Sequence, residues 1–232
     1  MFVGHFGVGL AAKRVAPRVS LGTFFLAVQW ADLLWPMLLL AGVEHVRIAP
    51  GLMKLCALDF YDYPWSHSLA ALVLWGTLFG AIHWMVRRDA RAALIVGLCV
   101  VSHWVLDVVM HRADVPMLPR GPYLGLGLWN SVPGTLIVEG LVSGAGIAVY
   151  VGTTRPKDRV GMWALWLLLG LLTALWMGAL FGPPPPSPRV LAVSGLFGWI
   201  ILPWAYWIDR HRTVRAPSVN RNSRSTLLSV SG

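Results

Sequence analysis

Within the stretch SHWVLDVVMH, His103 and Asp107 are four residues apart, and His111 follows four later. On an α-helix that spacing puts side chains on one face, with His103 and His111 only about 80° apart around the axis. Ligand-type side chains on consecutive turns can hold a metal, as the HExxH helices do. Four more residues of these types lie in apolar surroundings: His5 in GHFGVGL, Asp32 in WADLLWP, His67 in PWSHSL and Glu139 in GTLIVEGL. Imidazole together with carboxylate suits zinc or a similar divalent ion. One or two such ions would activate a water for hydrolysis. Asp32 is then the candidate to bridge two ions, and Glu139 the candidate ligand or general base.

The elements that position these residues belong in a membrane. Hydrophobic residues make up 56% of the 232-residue chain and charged residues 12%, with a mean hydropathy of +0.64. That charged share is about half the soluble average, which excludes a soluble globule, a disordered chain and a secreted disulfide scaffold. Six apolar stretches approach the roughly 20 residues needed per crossing: 19–43, 69–86, 92–110, 132–152, 160–181 and 190–208. Residues 1–12 form a shorter apolar piece without the basic start and small-residue cleavage site of a signal peptide. Apart from His5 it has no polar face, so it is expected to insert between the spans as a half-helix. The fold class is all-α, a polytopic helical bundle of about six transmembrane helices plus this half-helix. Residues 1–209 form the membrane domain, with the metal site in 1–150, and 210–232 a disordered basic tail.

The net charge of +9 is distributed as a topology signal rather than as a nucleic-acid surface, and no nucleic acid partner is expected. Lys13, Arg14 and Arg18, then Arg87, Arg88 and Arg91, then Arg155, Lys157 and Arg159, lie in alternate connections. Arg210, Arg212, Arg215, Arg221 and Arg224 follow the last span, whereas the other connections hold only Arg47, Lys54, Arg112, Arg120 and Arg189. The positive-inside rule then places the C-terminus in the cytoplasm. His67 falls at the outer end of its span, His103, Asp107 and His111 in the outer half of theirs, and Glu139 about two turns in. Asp32 stands roughly 20 Å above the cytoplasmic start of its helix, and His5 about 12 Å above Lys13. All can meet in the outer half of the bilayer. A lone buried histidine usually just bonds one helix to another. Three carboxylates and four histidines at matching depths instead point to a shared metal site, since ionisable groups at such depth cost several kcal/mol unless paired. His83 lies beside Arg87 and Arg88, and His45 and His211 in a loop and the tail. Cys56 and Cys99 offer no metal spacing.

GHFGVGL, ADLLWP, PWSHSL, SHWVLDVVMHRADVP and GLGLWNS resemble a family of LexA-regulated, membrane-bound, metal-dependent hydrolases. That family is distantly similar to zinc-dependent phospholipase C and the related single-strand nucleases. The resemblance covers about residues 1–150 and implies metal ligands at His5, Asp32, His67, His103 and Asp107. Ser66–His67–Ser68 stands where Thr-His-Ser is more usual. The phospholipase pattern also has a His-xxx-Glu pair, but Thr135 precedes Glu139 by four, so one or two zinc ions are expected rather than three.

The function that follows is a membrane-embedded metal-dependent hydrolase of phosphoesterase type. Its substrate would be a phosphate ester or a lipid-linked molecule at the outer half of a bacterial-type inner (plasma) membrane. Arg112 and Arg120 are placed to meet an anionic group there. The alternatives are a cation- or proton-coupled transporter running through Asp32, Asp107 and Glu139, and a structural membrane protein whose polar cluster fixes helix packing. No repeat relates the two halves, which counts against the transporter.

Overall fold

The computed structural model describes residues 1–215. Helix α1 (Val3–Val15) is followed by α2 (Leu21–Val28) and α3 (Trp30–Leu40), then strands β1 (His45–Ile48) and β2 (Leu58–Asp62). A single helical turn, α4 (Pro64–His67), leads into the long helices α5 (Leu69–Arg87) and α6 (Ala90–Met110). The short strands β3 (Val115–Pro116) and β4 (Tyr123–Leu124) precede α7 (Val132–Thr153), β5 (Thr154–Pro156) and α8 (Arg159–Phe181). The chain closes with α9 (Pro188–Gly195), α10 (Ile201–Arg210) and β6 (Arg212–Val214). Polar side chains open the long helices. Ser68, Asp89, Ser131 and Asp158 each accept a backbone N–H from the first turn that follows, giving one of the free helical donors an acceptor.

Among the described residues five helices are long and apolar enough to cross a membrane: α5, α6, α7, α8 and the stretch Pro188–Arg210. The span expected over 19–43 is not one straight helix. It is the pair α2 and α3, bent by 54°, which brings the number of spans to six if the pair counts as one. Two features mark the break. Gln29 leaves helical geometry (φ −103°, ψ 5°), and the Val28 carbonyl, which a straight helix would offer to the Asp32 N–H, accepts the His103 side chain instead. A side chain inserted into the backbone ladder is a known cause of kinks.

Helix α1 is the half-helix of the bundle, about 20 Å long at 1.5 Å per residue, too short to span. It is enclosed by its neighbours, with Val3, Phe6 and Leu10 in one apolar cluster together with Leu165, Leu168 and Leu172 of α8. Against α7 its backbone comes very close. A Cβ added at Gly146 would sit 2.1 Å from the Gly7 carbonyl oxygen. Small residues allow such approach where lipid offers no hydrophobic drive for helix association.

The basic connections gather at one end. Lys13 Nζ reaches Asp209 at 2.8 and 2.9 Å, β5 pairs antiparallel with β6, and Arg18 and Arg91 border one cavity with Asp89. The β5–β6 pairing runs to Val214, past the boundary expected at 209. Arg212 is buried there on Thr154 and the Gly161 carbonyl. The rest of the expected tail, 216–232, lies outside the described residues. At the opposite end the β1–β2 hairpin packs under the 111–131 connection. Arg112 bonds Asp59 there at 2.6 Å, and the Tyr63 hydroxyl donates to the Asp114 carbonyl at 3.1 Å.

Candidate metal centre

Helix α6 presents His103 and Asp107 inward, 1% and 2% exposed, on adjacent turns of one face. His103 donates its Nδ1–H to the Val28 carbonyl at 2.8 Å. A neutral imidazole carries one N–H, so its Nε2 is left as a bare lone pair. That nitrogen is buried and makes no hydrogen bond among the described residues, although Asp107 Oδ2 is 3.2 Å away and Asp32 Oδ1 is 3.7 Å away.

His67 closes the turn α4, which begins at Pro64, a residue whose fixed φ suits a first helical position. Its Nδ1 is 2.7 Å from Ser66 Oγ. The Ser66 hydroxyl is itself the donor to Glu44 Oε2 at 2.6 Å, so it can only accept from the imidazole. His67 Nε2 is therefore bare as well, 3.5 Å from Asp32 Oδ1 and 3.8 Å from Asp107 Oδ2. His5, delivered by the half-helix, is fully buried. Its Nε2 lies 3.1 Å from Asp107 Oδ1, and its Nδ1 has no partner among the described residues.

Two sets of ligand atoms result, each lying within 4.8 Å of one another: His5, His103 and Asp107, and Asp32, His67 and His103. They share His103 and so form one cluster of five side chains drawn from four helices. Bare imidazole nitrogens facing carboxylate oxygens place like partial charges together in a buried site, an arrangement that a cation between them relieves. The donor set fits a divalent ion of the zinc class. Four of the side chains are 5% exposed or less, while Asp32 is 39% exposed, so the cluster reaches the surface at Asp32.

His111 and Glu139, also expected as ligands, lie outside both sets. The α6 helix ends at Met110, and His111, already extended (φ −69°, ψ 153°), turns to Asp114 at 3.1 Å and packs on Phe60 and Trp129. Glu139 Oε2 accepts the Phe2 N–H at 2.8 Å, and Asp107 accepts the Met1 amino nitrogen. The two carboxylates thus receive the unpaired donors and positive dipole end of α1. Glu139 Oε1 is buried with no partner among the described residues. Arg112, expected near an anionic substrate, is held by Asp59 and Asp114.

Sequence reasoning passed over Glu44, Ser66 and the Val28 carbonyl. Ser66 carried a signal, being adjacent to His67, whereas Glu44 lies 22 residues from Ser66 in a loop and gave none. The Tyr63 hydroxyl beside them is raised well above its usual value, by burial first and then by the Asp114 and Asp107 charges, so it stays a neutral donor.

Fold and site define a multi-pass helical membrane protein with a buried histidine–aspartate cluster near the tip of a half-helix. Compared with protein-family models, with curated proteins and with solved structures, the chain matches none of them.

Proposed function

We propose that the protein is a membrane-embedded, metal-dependent hydrolase acting on a phosphate ester or lipid-linked molecule. One observation carries this reading. Two histidines have their Nδ1–H groups committed elsewhere and turn bare Nε2 atoms onto the same pair of aspartates. His5, His67, His103, Asp32 and Asp107 would hold one or two divalent ions, with zinc best suited to the donor set. Such an ion supplies Lewis acidity and activates water at neutral pH.

The chain's own residues do the rest. Asp107 reaches the Nε2 edge of both the His5 and the His103 ring, one through each carboxylate oxygen, and fixes both. Asp32, at the exposed edge of the cluster, accepts the proton of the attacking water. Glu139 anchors the amino end of α1 and thereby holds His5 in place. An amphiphilic substrate is favoured because the cluster is surrounded by helices that belong in lipid. The charge distribution of the connections supports a multi-pass protein of the inner (plasma) membrane with its C-terminus in the cytoplasm.

Metal analysis of detergent-purified protein tests the reading, alongside hydrolysis of a chromogenic phosphodiester in mixed micelles. Stoichiometric zinc that is lost with the activity in His103→Ala is the expected result. A metal-free protein that instead catalyses cation counterflow in vesicles would replace this function with transport. A C-terminal reporter active only outside the cytoplasm would overturn the orientation.

A further inference from the structure

We infer that Glu44 and Ser66 are positioning residues for the metal centre, joined as a relay that holds His67 in the one neutral form able to bind an ion through Nε2. This rests on the hydrolase reading above. All three residues are buried, Glu44 at 1%, Ser66 at 0% and His67 at 4% exposure. Glu44 accepts three hydrogen bonds: Oε1 takes the Trp65 and Ser66 backbone N–H groups at 2.6 and 2.9 Å, and Oε2 takes the Ser66 hydroxyl at 2.6 Å. A carboxylate has no hydrogen to give, so the direction along the chain of atoms is set. Ser66 O–H points to Glu44, and its oxygen lone pair must receive the proton on His67 Nδ1, 2.7 Å away.

Metal-ligating histidines usually give their second N–H to such a group, which fixes both ring orientation and proton position. Glu44 has a second task, since its bonds to the Trp65 and Ser66 N–H groups also cap the turn α4. The relay and the cap are separable. Ser66→Ala removes only the relay. Glu44→Gln keeps an oxygen for the two backbone N–H groups but turns an NH2 donor toward Ser66. The serine hydroxyl must then rotate and donate to His67 Nδ1, which moves the imidazole proton to Nε2 and blocks the ligand position.

The experiment is 15N NMR of histidine-labelled, metal-stripped protein in detergent at mildly alkaline pH, with zinc affinity measured in parallel. Wild type is expected to show His67 protonated at Nδ1. Glu44→Gln should show it protonated at Nε2, and Ser66→Ala a mixture. His103, tied to the Val28 carbonyl, should stay unchanged in all three. Zinc affinity should fall about 10- to 100-fold in both variants and recover in Ser66→Thr, which keeps the hydroxyl. His67 protonated at Nε2 in wild type, or at Nδ1 in Glu44→Gln, overturns the relay. Wild type that binds no zinc but shows the expected tautomers overturns the hydrolase reading and leaves the relay standing. Should Glu44→Gln fail to fold, Ser66→Ala decides alone: unchanged His67 protonation in that variant overturns the proposal.

Discussion

The imidazole rings of His5 and His103 lie face to face, with centroids 3.7 Å apart and planes 1° from parallel. A single carboxylate reaches both, Asp107 Oδ1 being 3.1 Å from His5 Nε2 and Oδ2 3.2 Å from His103 Nε2. The half-helix and α6 are thus joined through the candidate centre itself, which ties occupancy of the site to the position of α1.

His5→Ala should lower zinc affinity about as much as His67→Ala, and by more than the roughly 100-fold that marks loss of an outer-shell contact. Isothermal titration of the metal-stripped protein measures both. Undiminished affinity in His5→Ala would assign that ring a packing role only.

Asp107→Asn keeps the shape of the side chain and removes its charge. His5, His103 and the Met1 amino nitrogen then face an amide in a buried site. A loss of about 3 kcal/mol in unfolding free energy is expected, the range for breaking a buried ion pair. Thermal unfolding in detergent reads it, and zinc should no longer raise the transition temperature.

Gly146→Ala touches no ligand, yet its Cβ would meet the Gly7 carbonyl oxygen at 2.1 Å. The atoms it meets are all backbone, so the helices must move apart, at about 1–3 kcal/mol for overpacking. His5 moves with α1, and zinc affinity should drop alongside stability. A variant that loses stability while binding zinc as tightly as wild type would show that the site tolerates displacement of the half-helix.

Lys13 is 4% exposed and donates to the Val19 carbonyl at 2.7 Å as well as to Asp209. Lys13→Met should cost about 2 kcal/mol, within the range for a hydrogen bond to a charged group. Adding Asp209→Leu should restore part of it, because the stranded carboxylate is then removed. Chemical denaturation of the single and double variants makes the comparison.

Cys56 sits in the loop between β1 and β2, where burial above all pushes its thiol up to about 11. Near neutral pH only about one molecule in ten thousand carries the reactive thiolate. Modification by a maleimide in the folded protein should therefore be slow at pH 7 and should speed up about tenfold per pH unit until about 11. Rapid labelling at neutral pH would show that the loop opens.

The spans and most of the centre were legible in the sequence for one reason: an ionisable side chain in an apolar segment has to find a partner inside the protein. His5, Asp32, His67, His103 and Asp107 could therefore be grouped by type and depth alone, and the four-residue spacing of His103 and Asp107 fixed their common face. The half-helix followed from the same logic, because residues 1–12 have apolar side chains all round apart from His5.

Helix periodicity determines which face a residue occupies only while the helix continues, and this is where tertiary structure took over. α6 stops at Met110, so His111 leaves the face it would share with His103. The ladder of α2 and α3 breaks at Gln29, which frees the Val28 carbonyl to set the His103 tautomer. Glu139 meets the amino end of α1 rather than the cluster. Glu44 reaches Ser66 across 22 residues of loop, hairpin and turn. Each of these contacts depends on where separate elements come to rest against one another, and no spacing along the chain encodes that distance.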